Sequence, residues 1–285
     1  MSLLSTPDLE RSIDRVIETA LAEDIGSGDV TSLAVIPPEL VFHGVMAARE
    51  PMVVAGLPLV VEVFRRVVPE AKVTLRVKDG DSVKAGAILA ELDGPAAGML
   101  TAERTALNLL QHLSGIATLT RKYVDAMVGA KAVLLDTRKT VPGLRQLAKY
   151  ASRMGGARNH RMGLYDGVLI KDNHIAVCGG VAEAVRRAKS ATTLAIEVEC
   201  DTIEQVAQAV DAGADIVLLD NMDVATLREA VALVAGRAKT EASGGVTLTS
   251  VAAIAASGVD YVSVGRLTQS APAIDIGLDW TTDNG

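Results

Sequence analysis

Aromatic side chains are scarce in this chain: two Phe, four Tyr and one Trp among 285 residues. With so few rings there is no ladder of platforms on which successive nucleobases could stack. Acids outnumber cations, and the formal charge of −7 works against nucleic acid and anionic membrane alike. Cysteine occurs twice, as Cys178 and Cys200, with neither a CxxC pair nor a zinc-ligand spacing. That usage suits a reducing, cytoplasmic setting better than a disulfide framework. No uncharged apolar run approaches the ~20 residues that a membrane-crossing helix needs. The opening stretch MSLLSTPDLERSIDRVIETALAEDIG places acids where a secretory signal needs a basic region followed by an apolar run. What the chain has in quantity is aliphatic: 49% of it is hydrophobic, enough core for one large domain or two ordinary ones.

Thr6-Pro7-Asp8 reads as a helix start, and Leu9, Ile13, Val16, Ile17, Ala20 and Leu21 carry helical spacing to about Ala22. A polar loop, EDIGSGDVTS, follows at 23–32. From 40 to 95 short alternating segments broken by Gly and Asp predict an antiparallel sheet. Its second half, VKDGDSVKAGAILAEL, looks like a piece of a biotinyl or lipoyl carrier, but no lysine hairpin tip accompanies it, so a structural sheet is expected. A long helix is expected over 102–129. Beyond it, apolar strands at 132–136, 167–171, 194–199, 215–220, 239–243 and 260–265 alternate with Ala-rich helical stretches. That rhythm predicts a parallel sheet with helical crossovers.

Three of these strands share a frame of Asp, four strand-forming residues, then a special residue: Asp166 to Lys171, Asp215 to Asp220, and Asp260 to Gly265. Gly213 and Gly258 sit where the preceding helices should end. The special residue therefore falls at the carboxyl end of its strand. An open sheet would use one crevice there. Polar or glycine signatures at the ends of at least five strands favour a closed α/β barrel with its chemistry at that mouth.

Between Asp136 and Asp166 there is no acid, only Arg138, Lys139, Arg145, Lys149, Arg153, Arg158, His160 and Arg161. A solvated basic loop would explain this, and so would an anion site. At ~4 Å and an effective dielectric near 20, one ion pair is worth about 4 kcal/mol before desolvation. Arginine suits planar carboxylates and lysine suits phosphate. Glu197 and Glu199 lie two apart on one strand and share a face; they call for a cation, a metal or ligand hydroxyls, or for a salt bridge from Glu197 to Lys171 or Lys139. Asp220 ends the next strand, and acids beside a phosphate site suit Mg²⁺ and ribose hydroxyls. Ser243, Gly244 and Gly245, then Gly265 and Arg266, can present backbone N–H groups to a phosphate. His43 and His112 read as structural, and His174 as a supporting group. No Ser-His-Asp set and no Cys with a base partner is visible.

At these residues the chain resembles the quinolinate phosphoribosyltransferases. The matching motifs are AEDIGSGDVTS (22–32), AERTALNLLQHLSGIAT (102–118), DTRKTVPGLR (136–145), GGARNHRMGLYDGVLIKDNHI (155–175), IEVE (196–199), LLDN (218–221), EASGGV (241–246) and SVGRLT (263–268). The resemblance implies an N-terminal open-faced α/β sandwich (1–112), an incomplete α/β barrel (113–265) and a C-terminal segment (266–285) that packs back on the first domain. It implies a reaction of quinolinate with phosphoribosyl pyrophosphate and Mg²⁺ that gives nicotinate mononucleotide, pyrophosphate and CO₂. Arg138, His160 and Arg161 would hold the quinolinate carboxylates, joined by Arg104 from the neighbouring subunit of a homodimer or larger assembly. Thr137, Lys139 and Lys171 would serve the pyrophosphate side. Glu199 and Asp220 would take the ribose hydroxyls and the metal, and Ser243 to Gly245 with Gly265 the 5′-phosphate. Ala157 stands where a third glycine is often seen, and Arg266 where a small or apolar residue is common. A nicotinate phosphoribosyltransferase, a molybdenum-associated paralogue and a non-catalytic sensor of phosphorylated ligands remain as alternatives; the density of Arg and His favours a dicarboxylate.

Overall fold

The computed structural model describes residues 7–281. The chain divides into two compact units, Met1–Arg121 with Val141–Gly155 and Ser270–Gly285, and Lys122–Thr140 with Gly156–Gln269, each taken over its described residues.

The first unit opens with the helix Pro7–Ile25, with Asp8 and Glu10 in its first turn and Leu9 and Ile17 buried. It runs past the Ala22 expected from the sequence; Thr6, the expected cap, lies outside the described residues. The expected loop at 23–32 is partly helical, because the Asp29 carboxylate accepts the N–H groups of Thr31 and Ser32 and starts a short helix, Val30–Val35. Strands β1 (Val41–Ala48), β2 (Met52–Val53), β3 (Lys72–Leu75), β4 (Ser82–Val83) and β5 (Ile88–Pro95) surround the helix Leu57–Val67 in the chain. That helix buries Leu57, Leu59, Val60, Val63 and Phe64. Its first turn is tied down from outside: Asp79 accepts the N–H of Gly56 at 2.8 Å and of Leu57 at 3.0 Å.

The long helix begins at Ala96, earlier than its sequence pattern suggests, and ends at Ala126. Its buried positions, Met99, Ala102, Ala106, Leu110 and Leu113 among them, recur at three- and four-residue steps on the face turned to the core of this unit. The helix Arg145–Gly155 lies in sequence between two strands of the second unit. It nevertheless places Leu147, Ala148, Tyr150, Ala151 and Met154 in the core of the first.

The second unit carries β6 (Val133–Leu135), β7 (Val168–Ile170), β8 (Ile196–Cys200), β9 (Ile216–Asp220), β10 (Lys239–Ser243) and β11 (Tyr261–Ser263) in one sheet of order β6-β11-β10-β9-β8-β7. Every pairing in it is parallel. Helices cross between strands, with Thr202 and Asp223 as side-chain N-caps, Gly213 in the left-handed region after the helix that Thr202 starts, and Gly258 in it after the helix Val251–Ala255. The repeated Asp has a physical role in two of its three copies. Asp215 accepts the N–H of Ile196 at 2.8 Å, and Asp260 accepts that of Thr240 at 2.9 Å, so each pins its strand to the start of its neighbour. Asp166 instead folds its own loop by accepting from Met162 and Gly163.

The barrel is incomplete: β6 and β7 are the two edges of the sheet. The closed barrel read from strand-end signatures gives way because the helix after β6 joins the other core, which leaves no crossover between β6 and β7. Residue 158 adds a parallel bridge to Leu135 at the β6 edge. In the first unit, the last strand, β12 (Ile276–Trp280), pairs antiparallel with β1, giving the sheet order β12-β1-β5-β3.

Candidate active site

A cavity of about 680 Å³ opens at the carboxyl ends of the second unit's strands, within the size range of small-molecule sites. Strand register sets which side chains point into it. Glu199, Leu218 and Glu241 are level on β8, β9 and β10, and Asp220 is level with Ser243 one step further. Every residue to which the resemblance assigns a role lines this cavity except Arg104. Arg104 is exposed on the helix Ala96–Ala126 of the first unit.

The cationic segment is not one patch. Arg145, Lys149 and Arg153 belong to the helix of the first unit; Lys149 is fully buried there, and Arg153 lies 5.8 Å over the Tyr150 ring. Arg158 is exposed and does not line the cavity. Those that do are Arg138, Lys139, His160 and Arg161, together with Lys171 and Arg266.

Asp136 places the first group. It follows β6, is wholly buried, and accepts the backbone N–H of His160 at 2.9 Å and the Asn159 amide at 2.5 Å. The Arg158 N–H donates to Leu134 O and the Asp136 N–H to Arg158 O, so residues 158–160 are laid along β6. The Arg161 guanidinium donates to Gly167 O at 3.1 Å, and its Nε is buried without a partner. Burial, and then the neighbouring Arg138, hold its pKa below the usual value. Two guanidiniums that crowd each other in a half-dry place gain from an anion between them.

Below them His160 meets two buried glutamates. His160 Nε2 is 3.0 Å from Glu197 Oε2 and 3.7 Å from Glu241 Oε2. Glu197 thus meets a histidine rather than Lys171 or Lys139, the partners suggested by the sequence. Lys171 takes Glu199 instead.

The other flank is built from glycines and lysines. The Thr137 hydroxyl accepts the Lys139 N–H at 3.0 Å, and Thr268 donates to the Lys139 carbonyl at 2.7 Å. A Cβ on Gly265 would lie 2.7 Å from Lys139 Cδ, so only glycine lets that side chain lie across the turn. Gly244 and Gly245 both have positive φ, and a Cβ on Gly244 would lie 2.3 Å from Asn221 Oδ1. Asn221 is itself left-handed, donates its N–H to Ser243 O at 2.9 Å and its amide to Asp220 Oδ2 at 2.5 Å. Consecutive left-handed residues turn backbone N–H groups into an anion-binding concavity. His174 accepts the Lys171 N–H at 3.0 Å and steadies that lysine's backbone.

Glu199 and Asp220 are hard oxygen donors at the rim beside these phosphate-type groups, a fit to Mg²⁺ that is held mainly by a substrate's phosphates. The one cluster of three metal-ligand types among the described residues is a different set, His160, Glu197 and Glu241. Sequence reasoning passed over Asp136, Asn221 and Glu241. Each stood inside a motif already quoted, but its neighbours carried the more obvious charge.

The family model for the N-terminal domain of quinolinate phosphoribosyl transferase matches residues 29–114, and that for its C-terminal domain matches residues 116–279. The chain belongs to the quinolinate phosphoribosyltransferase family. Within the family it is 44% identical to a protein of Bacillus subtilis named as a probable carboxylating nicotinate-nucleotide pyrophosphorylase, over 95% of this chain and 94% of the other. It is 45% identical to the nicotinate-nucleotide pyrophosphorylase of Mycobacterium leprae, over 97% and 100%. A solved nicotinate-nucleotide pyrophosphorylase from Francisella tularensis superposes with a TM-score of 0.92 at 40% identity, covering 95% of this chain and 96% of that one. Among the described residues no helix is long and apolar enough to cross a membrane.

Proposed function

We propose that this chain transfers the phosphoribosyl group of phosphoribosyl pyrophosphate to quinolinate, with decarboxylation, to give nicotinate mononucleotide, pyrophosphate and CO₂. The observation that carries this reading, beside family membership, is that one cavity is lined both by Arg138, Arg161 and His160, which lie beside one another, and by Lys139, Lys171 and the glycine turns, with Gly265 packed against Lys139.

Arg138, Arg161 and His160 bind the two ring carboxylates. Lys139 and Lys171, with Thr137, bind the pyrophosphate that leaves. The turns at Ser243–Gly245 and Gly265–Arg266 take the 5′-phosphate, and Glu199 and Asp220 the ribose hydroxyls. The ring nitrogen attacks C1′ as the bond to pyrophosphate breaks, through an oxocarbenium-like centre. Cations at the leaving group and carboxylates at the ribose are already in place for that charge separation. The ribosylated nitrogen then draws the electrons of the bond to the departing CO₂, and C2 takes a proton. The protein orients the ring and keeps the carboxylate poorly hydrated. Mg²⁺, when bound, neutralises pyrophosphate charge, with Glu199 and Asp220 as its protein ligands. Arg104 acts across the interface of a dimer, on the carboxylate side of the neighbour's site.

The test is turnover with phosphoribosyl pyrophosphate and Mg²⁺, offering quinolinate and nicotinate in parallel and following nicotinate mononucleotide and CO₂. Product and CO₂ from quinolinate alone are expected. Product from nicotinate alone would mean that the arginines are assigned to the wrong ligand. No product from either would favour a sensor or a paralogue with another substrate.

A further inference from the structure

Among the described residues only Asn221 and Ala235 take up a positive φ without being glycine. Ala235 closes a helix, where the left-handed region is a common stop. Asn221 closes none. It follows directly on β9 at the lining of the cavity, with φ at 53°. That conformation disfavours every residue with a Cβ, asparagine least. It persists only where the surroundings hold it, and such positions gather at functional sites.

The contacts that hold Asn221 join two elements of the cavity. Its N–H donates to Ser243 O at 2.9 Å, which carries the β9–β10 ladder past its last level pair, Asp220 and Ser243. Its side-chain Nδ2 donates to Asp220 Oδ2 at 2.5 Å. The amide carbonyl lies over the glycine turn, since a Cβ on Gly244 would lie 2.3 Å from Asn221 Oδ1. Turning the amide round would set that carbonyl against the Asp220 carboxylate, so the donor must face Asp220. Among the described residues this amide makes the only hydrogen bond to the Asp220 side chain. Glu199, by contrast, is paired with the Lys171 ammonium. A cation cancels much of the charge that it orients, whereas a neutral donor fixes Asp220 and leaves its charge for a ligand.

We propose that Asn221 is a positioning residue: it holds the Asp220 carboxylate in place beside the Ser243–Gly245 turn, so that a sugar phosphate is gripped at its hydroxyls and at its phosphate together. The role needs a residue that accepts a left-handed backbone and carries a donor at short reach, which asparagine combines. The inference rests on Asp220 and that turn holding the ribose and its 5′-phosphate, as proposed above.

Asn221→Gly tests it, because glycine keeps the left-handed backbone and the N–H to Ser243 while removing the amide. The probe is ribose 5-phosphate, which has the hydroxyls and the phosphate but no pyrophosphate, titrated by calorimetry without metal. The variant is expected to bind it at least tenfold more weakly than wild type and to bind quinolinate within twofold. In steady-state kinetics KM for phosphoribosyl pyrophosphate should rise while KM for quinolinate stays within twofold. A double-mutant cycle checks the partner: in an Asp220→Ala background, Asn221→Gly should weaken ribose 5-phosphate binding less than threefold. Equal factors in both backgrounds would show that Asn221 does not act through Asp220 and would overturn the proposal. So would a glycine variant that binds ribose 5-phosphate as wild type does, or one that loses quinolinate to the same extent, the mark of a role in the fold alone. Asn221→Asp is the second variant. It keeps the size but sets a second carboxylate against Asp220, so it is expected to be at least as impaired as glycine; normal binding by it would also overturn the proposal. Failure of the wild type itself to bind either sugar phosphate would instead overturn the assigned ligand, and the proposal with it.

Discussion

The buried carboxylate of Asp136 accepts the backbone N–H of His160 at 2.9 Å, so one strand end sets the position of a cavity-lining residue twenty-four places further along the chain. Its other oxygen takes the Asn159 amide. Asp136→Ala would strand at least these two donors in a buried place. The expected cost is ~1–3 kcal/mol of stability, read by denaturant or thermal unfolding. Quinolinate affinity should fall at least tenfold, because His160 and Arg161 lose their anchor. Full affinity in a destabilised variant would show that Asp136 supports the fold alone.

Gly244 occupies a backbone conformation that disfavours any Cβ, and the space beside it is filled by Asn221. Gly244→Ala should cost roughly 1 kcal/mol or more in stability. It should weaken phosphoribosyl pyrophosphate binding more than quinolinate binding, since the displaced Asn221 is bonded to Asp220. Gly245→Ala is the companion: its φ is also positive, but a Cβ there meets nothing within 4 Å. Its binding defect is expected to be the smaller of the two, and calorimetry on both variants checks the order.

In the first unit, Asp79 joins three donors: the N–H groups of Gly56 and Leu57 and the Tyr150 hydroxyl at 2.6 Å. Burial, and then Asp79, push the Tyr150 phenol well above its usual range, so it stays a donor at any working pH. Asp79→Ala should destabilise by ~1–3 kcal/mol, and Tyr150→Phe by less, because Phe leaves Asp79 with its two backbone donors. Similar losses from both would contradict this division.

The α/β alternation and the carboxyl-end placement of the site were legible because strand periodicity and special end residues are local signals. The run of seven cations and a histidine was legible only in part. Arg138 and Lys139 follow a strand directly and must emerge at its end, whereas Arg145, Lys149 and Arg153 ride on a helix whose apolar stripe chose a different core. No local pattern reports that choice. Glu197 was recognised as needing a partner, but the partner came from a loop held by Asp136, a contact between distant segments that spacing does not reveal. The short helix after Asp29 was hidden for the opposite reason: a cap with only six residues behind it reads as a turn.

Calorimetric titration of quinolinate and of phosphoribosyl pyrophosphate into Arg138→Ala and Lys171→Ala bears most directly on the two-sided cavity. Arg138→Ala should lose at least tenfold in quinolinate affinity and little for phosphoribosyl pyrophosphate, and Lys171→Ala should show the reverse. Equal losses for both ligands in both variants would contradict the division of the site.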